Sequence, residues 1–358
     1  MKIHRLLSAL ALLPLLGSIA GCSSDSGVDA GEKDAKFQQD VVTGMHDSLL
    51  SDIDDLVQAG KAMQAAAPET QGRGWDAHED ADAIAATKAA WVKARVAYEH
   101  IEGALAPLFP DIDESIDFRY DDFLADPKVG ADDDLFDDQG VTGMHAVERI
   151  LWAPEIPQAV IDFESALPGY QAAAFPATED EAKSFKDKLV ARIVSDATTL
   201  RDQWTPQKID VGGAFQGLVS LMNEQREKVN KASTNEEESR YSQRTMADIR
   251  DNLAGTRKIF TLFQPWLQAK EAGDHIDQEI SDGFDKLDTL YSAVDGDAIP
   301  APPATWSAES PSASDLKSPF GKLYAGVSAA VDPTSDGAIV FDMNEAASLL
   351  GFPLFKAE

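Results

Sequence analysis

Val141-Thr142-Gly143-Met144-His145-Ala146-Val147-Glu148-Arg149-Ile150-Leu151-Trp152 is the stretch from which the chain is read. At helical period Met144, Val147, Ile150 and Leu151 form one apolar flank, and Trp152 closes it. His145 and Glu148 are three apart, so on a helix their side chains leave neighbouring turns of one face. An imidazole and a carboxylate held that way can share one cation, and helix bundles build metal sites from such pairs. A lone pair of this kind is more often a solvated polar face. A second helix upstream, with carboxylates of its own, turns the reading toward a metal.

That second helix is predicted over about 76–105, with Ile84, Ala90, Trp91, Ala94, Tyr98, Ile101 and Leu105 on its inner face. Arg95, Glu99 and Glu102 step along the same side as Trp91. Charges on a packed side need partners or a coordinated ion. The competing reading places the stripe at the edge of the interface, with Arg95 and Glu99 as an exposed ion pair. Both readings stand on the sequence.

Between the two helices, 109–139 reads as a long acidic connection carrying Asp111, Asp113, Asp117, Asp121 and Asp122. Connections of that length inside a domain tend to be functional or disordered. An EF-hand is excluded: Asp111 and Asp113 have the opening spacing, but the later Gly and Glu positions are missing. Upstream, Val41, Met45, Leu49, Ile53, Leu56 and Met63 predict an amphipathic helix that Gly60 interrupts and Pro68 ends. Downstream, helices are predicted at about 179–204, 211–229, 240–270 and 276–294. A Pro/Ser-rich segment then leads to a terminal helix at 321–331 and an apolar patch at 346–355, both packing back on the bundle. No alternating β-branched run bounded by hairpin turns occurs. The expected fold is all-α, a helical bundle. Met45-His46 and Met144-His145 each follow a Gly, which leaves open a duplication into two pseudo-repeated bundles.

The 358 residues include 62 acidic and 31 basic side chains, a formal charge of -31. Such a balance argues against nucleic acid as a partner, since phosphate backbones demand a basic surface. It suits a chain that attracts cations or simply repels its neighbours. Residues 1–22 read as a signal segment: Lys2, His4 and Arg5, then apolar Leu6 to Leu16, then Ile19-Ala20-Gly21-Cys22. Cys22 is the only cysteine, so neither a disulfide framework nor a thiolate metal site is available. Small residues before that Cys resemble a bacterial lipobox, which implies lipidation at Cys22 and attachment to the cell envelope. The periplasmic side of the outer membrane is the expected address if the host is Gram-negative. Residues 23–36, poor in apolar side chains, read as a flexible tether.

The ordered set Tyr98-Glu99-His100-Ile101-Glu102, Ile116-Asp117-Phe118-Arg119, Asp121-Asp122 and Gly143-Met144-His145-Ala146-Val147-Glu148 resembles the imelysin-like family. It is most similar to the EfeO and EfeM branch of bacterial iron-uptake proteins. Glu236-Glu237-Glu238-Ser239-Arg240-Tyr241-Ser242, followed by Asp248, Asn252, Gly255 and Lys258, is similar to the same branch. The resemblance covers 37–294, and the tail from Pro300 onward matches nothing in it. It implies an exported helical bundle with a metal site formed by Glu99, Glu102, Asp117, His145 and Glu148, supported by Arg95, Arg119 and Tyr241. Asp113 competes with Asp117 because the Phe109-Pro110-Asp111 corner is one residue longer than the family pattern. The chain is expected to be the short form, without the cupredoxin-like domain of some EfeO proteins. Iron is the implied cation, with zinc, calcium and manganese as alternatives, and an iron permease or other uptake component is the implied partner.

Two other functions compete with metal capture. Imelysins have also been classed as metallopeptidases, but a zinc peptidase of the H-E-x-x-H type needs a second His that this sequence lacks. A polysaccharide- or partner-binding lipoprotein would need an exposed aromatic cleft, which Trp75, Trp204, Trp266 and Trp306 could supply. Core packing explains a Trp more often.

Overall fold

The structure, a computed structural model, describes residues 26–125 and 132–356. The signal segment and Cys22 lie outside the described residues. Among the described residues the chain forms α-helices and no strand. The first helix, α1 (Ser26–Ala66), buries Val41, Met45, Leu49, Ile53, Leu56 and Met63, the stripe that the spacing predicts. Burying one such side chain contributes about 1.5–3 kcal/mol, so this face rather than surface charge pairs holds α1 in place. The helix runs through Gly60 and ends before Pro68.

Residues 26–36 are helical, contrary to the tether expectation. Their anchor is tertiary: Asp34 accepts from Trp266 Nε1 at 3.0 Å and pairs with Lys270 Nζ at 2.7 Å. Local composition contains neither partner.

Next come α2 (Ala81–Glu99), α3 (Glu102–Leu108), α4 (Pro110–Asp117) and α5 (Tyr120–Ala125). The acidic connection is thus partly helical, with Pro110 starting α4 where its missing donor costs nothing. Then follow α6 (Gly143–Leu151), α7 (Gln158–Glu164), α8 (Glu179–Ser184) and α9 (Val190–Gln203), the last two joined by a π-helical turn. A capping box between Thr178 and Glu181 opens α8. The chain closes with α10 (Val211–Lys231), α11 (Thr245–Gln268), α12 (Gly273–Ser292), α13 (Pro319–Ala330) and α14 (Ile339–Leu350).

Two boundaries differ from the periodicity in ways that shape the site. The helix expected over 76–105 breaks at His100 and Ile101. There α11 comes so close that a Cβ on Gly255 would lie 2.4 Å from the His100 carbonyl oxygen. Asn252 of α11 also donates to the Glu99 carbonyl at 3.3 Å. The helix expected from 240 starts at Thr245, because donors in the preceding loop serve tertiary acceptors. Ser239 N–H donates to Thr245 Oγ1 at 3.0 Å, and Ser242 N–H donates to Glu148 Oε1 at 2.8 Å.

Buried apolar side chains from Val41 to Leu350 form one cluster, so both halves of the chain share a core. His46 sits on α1 beside Asp47, 2.8 Å away, and has no part in the surroundings of His145. Packed against α2, α4 and α9, α6 has every one of its residues buried.

Candidate metal centre

The position of α6 follows from Gly143. Its φ of +83° suits glycine, and a Cβ there would lie 2.3 Å from the Ile116 carbonyl oxygen. With hydrogen alone at that point, α6 starts directly against the end of α4, and His145 comes to Asp117. On the opposite side Trp91 Nε1 donates to the Met144 carbonyl at 2.8 Å, which ties α6 to α2.

His145 is buried, and its two ring nitrogens face different partners. Nδ1 lies 3.1 Å from Glu148 Oε2, while Glu148 Oε1 accepts from Ser242 N–H and Oγ at 2.8 and 2.7 Å. Nε2 lies 3.2 Å from Asp117 Oδ1 but without hydrogen-bond alignment, and it has no other partner. Beyond Asp117 sits Arg95, also buried. Its guanidinium pairs with Glu99, with Asp117, with Glu238 at 2.6 Å and with Asp248 at 3.6 Å. Lys228 is a second, half-buried cation, 2.8 Å from Glu238 and 3.4 Å from Glu102.

The field in this cluster is uneven. Burial opposes the charge on His145, but the nearby Asp117 carboxylate and the hydrogen bond to Glu148 outweigh it and raise His145 to about 9. Burial likewise opposes charge on Asp117, yet Arg95 and His145 hold its carboxyl below the usual range. Glu99 goes the other way: burial dominates, Arg95 only partly offsets it, and neighbouring Glu238, Glu102 and Asp248 push it further up. Asp248 is raised to about 7, again by burial first, with Glu238 adding to it against Arg95. The acids therefore outnumber the resident cations, and a bound metal ion would relieve the burial and repulsion that push Glu99 and Asp248 up.

Asp117, His145 and Glu238 each offer a ligand atom, and these atoms lie within 4.8 Å of one another. Glu99, Glu238 and Asp248 form a second such group around the same Glu238. Ligand bonds of about 2.0–2.6 Å to a shared ion span such separations. Oxygen donors, one imidazole and no thiolate suit iron, manganese, zinc or calcium rather than copper(I). His145 Nε2 faces this group, with Asp117 Oδ1 3.2 Å away.

The residues expected as one ligand set are divided by the fold. Asp117 and His145 meet, and Glu99 joins them through Arg95. Glu148 lies on the far ring nitrogen, where it orients His145 instead of facing Nε2. Glu102 stands apart with Lys228 and accepts from Asn252 Nδ2 at 2.7 Å; the same amide donates to Glu99. It lines a surface groove of about 490 Å3 together with Ser220, Glu224 and Phe355. Asp113 accepts from Tyr98 OH at 2.7 Å, away from His145, so the geometry favours Asp117.

Arg119 and Tyr241 touch none of the expected ligands. Tyr241 donates to Glu164, and Arg119 pairs with Asp121 and donates to the Glu236 carbonyl. Their part is to hold the loop that carries Glu238. Glu238 and Asp248 themselves escaped the sequence reading as ligands. For Asp248 a signal existed, since Asp248 and Asn252 sit at i, i+4, each directly before an apolar residue, Ile249 and Leu253. Glu238 lies in a non-periodic loop, where only the family resemblance marked its stretch.

Comparison with known proteins gives these residues a context. Residues 42–316 match the family model described as Imelysin (Peptidase_M75). The iron uptake system component EfeO of Escherichia coli O1:K1 / APEC is 30% identical over 266 residues, which span 70% of this chain and 57% of that protein. Its counterpart in Escherichia coli K12 is 29% identical over the same shares. The chain thus spans little more than half the length of the curated relatives it matches. An imelysin-like protein from Psychrobacter arcticum 273-4 has the same fold, with a TM-score of 0.60 at 13% identity over 90% of this chain and 98% of that one. Family model, relatives and fold agree: the chain belongs to the imelysin family.

Proposed function

We propose that this protein captures a metal cation, with iron as the cargo, and serves iron uptake at the cell envelope. The observation that carries the reading is the pair of ligand groups sharing Glu238, one of which contains the buried His145, whose Nε2 faces the Asp117 carboxylate without an aligned hydrogen bond. The names of the relatives, components of an iron uptake system, supply the cargo. In this reading Asp117, His145 and Glu238 are the first ligands, with Glu99 and Asp248 completing the oxygen set. Glu148 fixes the ring of His145 in place, as the outer partners of metal-bound histidines do. Arg95 holds the site by charge until the cation arrives and must give up its carboxylates to it. Glu102 stands at the groove, where an arriving cation would meet its first carboxylate. Lipid attachment at Cys22 would keep the protein at the membrane, where an iron permease or another uptake component would receive the cargo.

Peptide hydrolysis has less support. A peptidase needs an open coordination position and a cleft for the substrate chain. His145 and Glu148 are buried, and the groove lies at Glu102.

The test is a titration of ferric iron, ferrous iron, zinc and calcium into the wild type, His145→Ala, Glu238→Gln and Glu102→Gln, under a chelator buffer at fixed pH. Loss of an outer partner alone costs about 10- to 100-fold in affinity, so His145→Ala and Glu238→Gln should lose at least that much for iron. Glu102→Gln should slow binding more than it weakens it. Equal iron affinity in all four proteins would remove this cluster as the site. Loss confined to zinc would move the reading back toward hydrolysis.

A further inference from the structure

At Gly283 α12 and α14 cross closely, and a Cβ there would lie 2.9 Å from the Cβ of Ile339. Glu279 stands one turn before Gly283, and Asp342 one turn after Ile339, so the crossing brings carboxylates of both helices together. Glu345 follows Asp342 at i+3, on the same face of α14. Glu279, Asp342 and Glu345 each offer an oxygen, and these oxygens lie within 4.8 Å of one another.

The independent observation is Asp342 itself. Its side chain is 0% exposed; Oδ1 accepts from Gly337 N–H at 3.2 Å, but the buried Oδ2 has no hydrogen-bond partner. Among the described residues neither Asp342 nor Glu345 has an ion-pair partner, and Glu279 is paired only with the exposed His275, at 3.3 Å. A buried carboxylate oxygen left without a donor is costly, and the acids around it deepen the deficit. Burial above all, with Glu279, Asp336 and Glu345 adding repulsion, raises Asp342 to about 6. The Gly337 N–H at the start of α14 uses Oδ1 alone and leaves Oδ2 with no donor.

We propose that Glu279, Asp342 and Glu345 hold a second cation, a hard divalent ion of the calcium class, which ties α14 to α12. The donors are oxygens only, without the imidazole of the His145 cluster, and one edge of the group reaches solvent through Glu345. Calcium accepts such an irregular set and completes it with water, whereas magnesium demands a near-ideal octahedron. The consequence reaches the groove. Asn344 on α14 accepts from Phe355 N–H at 2.9 Å, and Phe355 lines the groove beside Glu102. A cation that fixes α14 therefore also steadies one wall of that groove.

The test uses the full chain stripped of metal with a chelator, then titrated with calcium and followed by calorimetry and by thermal unfolding. Wild type and His145→Ala should bind calcium alike and melt higher with it. Glu345→Gln, an exposed change that leaves the core intact, should lose about 10-fold or more in calcium affinity. Asp342→Asn should lose the calcium-dependent rise in melting temperature. No calcium response in the wild type, or undiminished affinity in Glu345→Gln and Asp342→Asn, overturns the proposal. Iron binding at the His145 cluster should be unchanged in Glu345→Gln, so the two sites stand or fall separately.

Discussion

Arg95 brings one fixed positive charge to a place where Glu99, Asp117, Glu238 and Asp248 converge. Sequence left two readings of it open, an exposed pair with Glu99 or a charge buried among partners, and its 1% exposure decides for the second. A guanidinium suits this task because it is always charged and its planar fork serves several carboxylates at once. Removing one partner of such a buried group leaves the others uncompensated, which costs about 3–5 kcal/mol. Arg95→Met should therefore be destabilised by about that much in chelator, as read by denaturant unfolding. Iron should restore part of the loss, because it supplies the missing charge. It should also bind Arg95→Met more tightly than wild type, having no guanidinium to displace. Equal stability in chelator, or weaker iron binding, would show that Arg95 is not the resident counter-ion of the site.

At the scale of the element, the α6 start depends on a residue without a side chain. Gly143→Ala combines a left-handed backbone with a Cβ driven into the Ile116 carbonyl, so α6 has to shift away from α4. The expected result is a loss of more than about 1 kcal/mol in stability, together with weaker iron binding as His145 leaves Asp117. Stability lost with full iron affinity retained would mean that this contact does not set the site. The α6 helix and the stripe of α1 were legible because periodic burial writes itself into sequence. What decides the site was not. The break after Glu99 comes from α11 pressing on the His100 carbonyl, and the 236–244 loop is held by tertiary acceptors such as Glu148. Neither leaves a local pattern, so Glu99 and Glu102 looked like one stripe, while the fold pairs Glu99 with Arg95 and Glu102 with Lys228 and gives both the Asn252 amide. Glu238 lies where periodicity is silent, and only the resemblance had marked its stretch.

For the whole molecule, charge and address bear on one another. The chain carries -31 in formal charge, and none of its described helices is long and apolar enough to cross a membrane. Anionic lipid attracts basic segments and repels acidic ones, so the folded body gains no electrostatic hold on such a surface. In the reading proposed above, lipid at Cys22 supplies the hold at the envelope. Two outcomes follow from that division. Wild-type protein should remain with the membrane fraction through washes at high salt, since no ion pairs attach it. Cys22→Ala should be released completely rather than in part, because no second contact is left to retain it, and iron binding by the released protein should be unchanged. Fractionation followed by the same iron titration checks both. A Cys22→Ala protein that stays with the membrane at the processed mass would show that another surface attaches it, and would remove lipidation from the account.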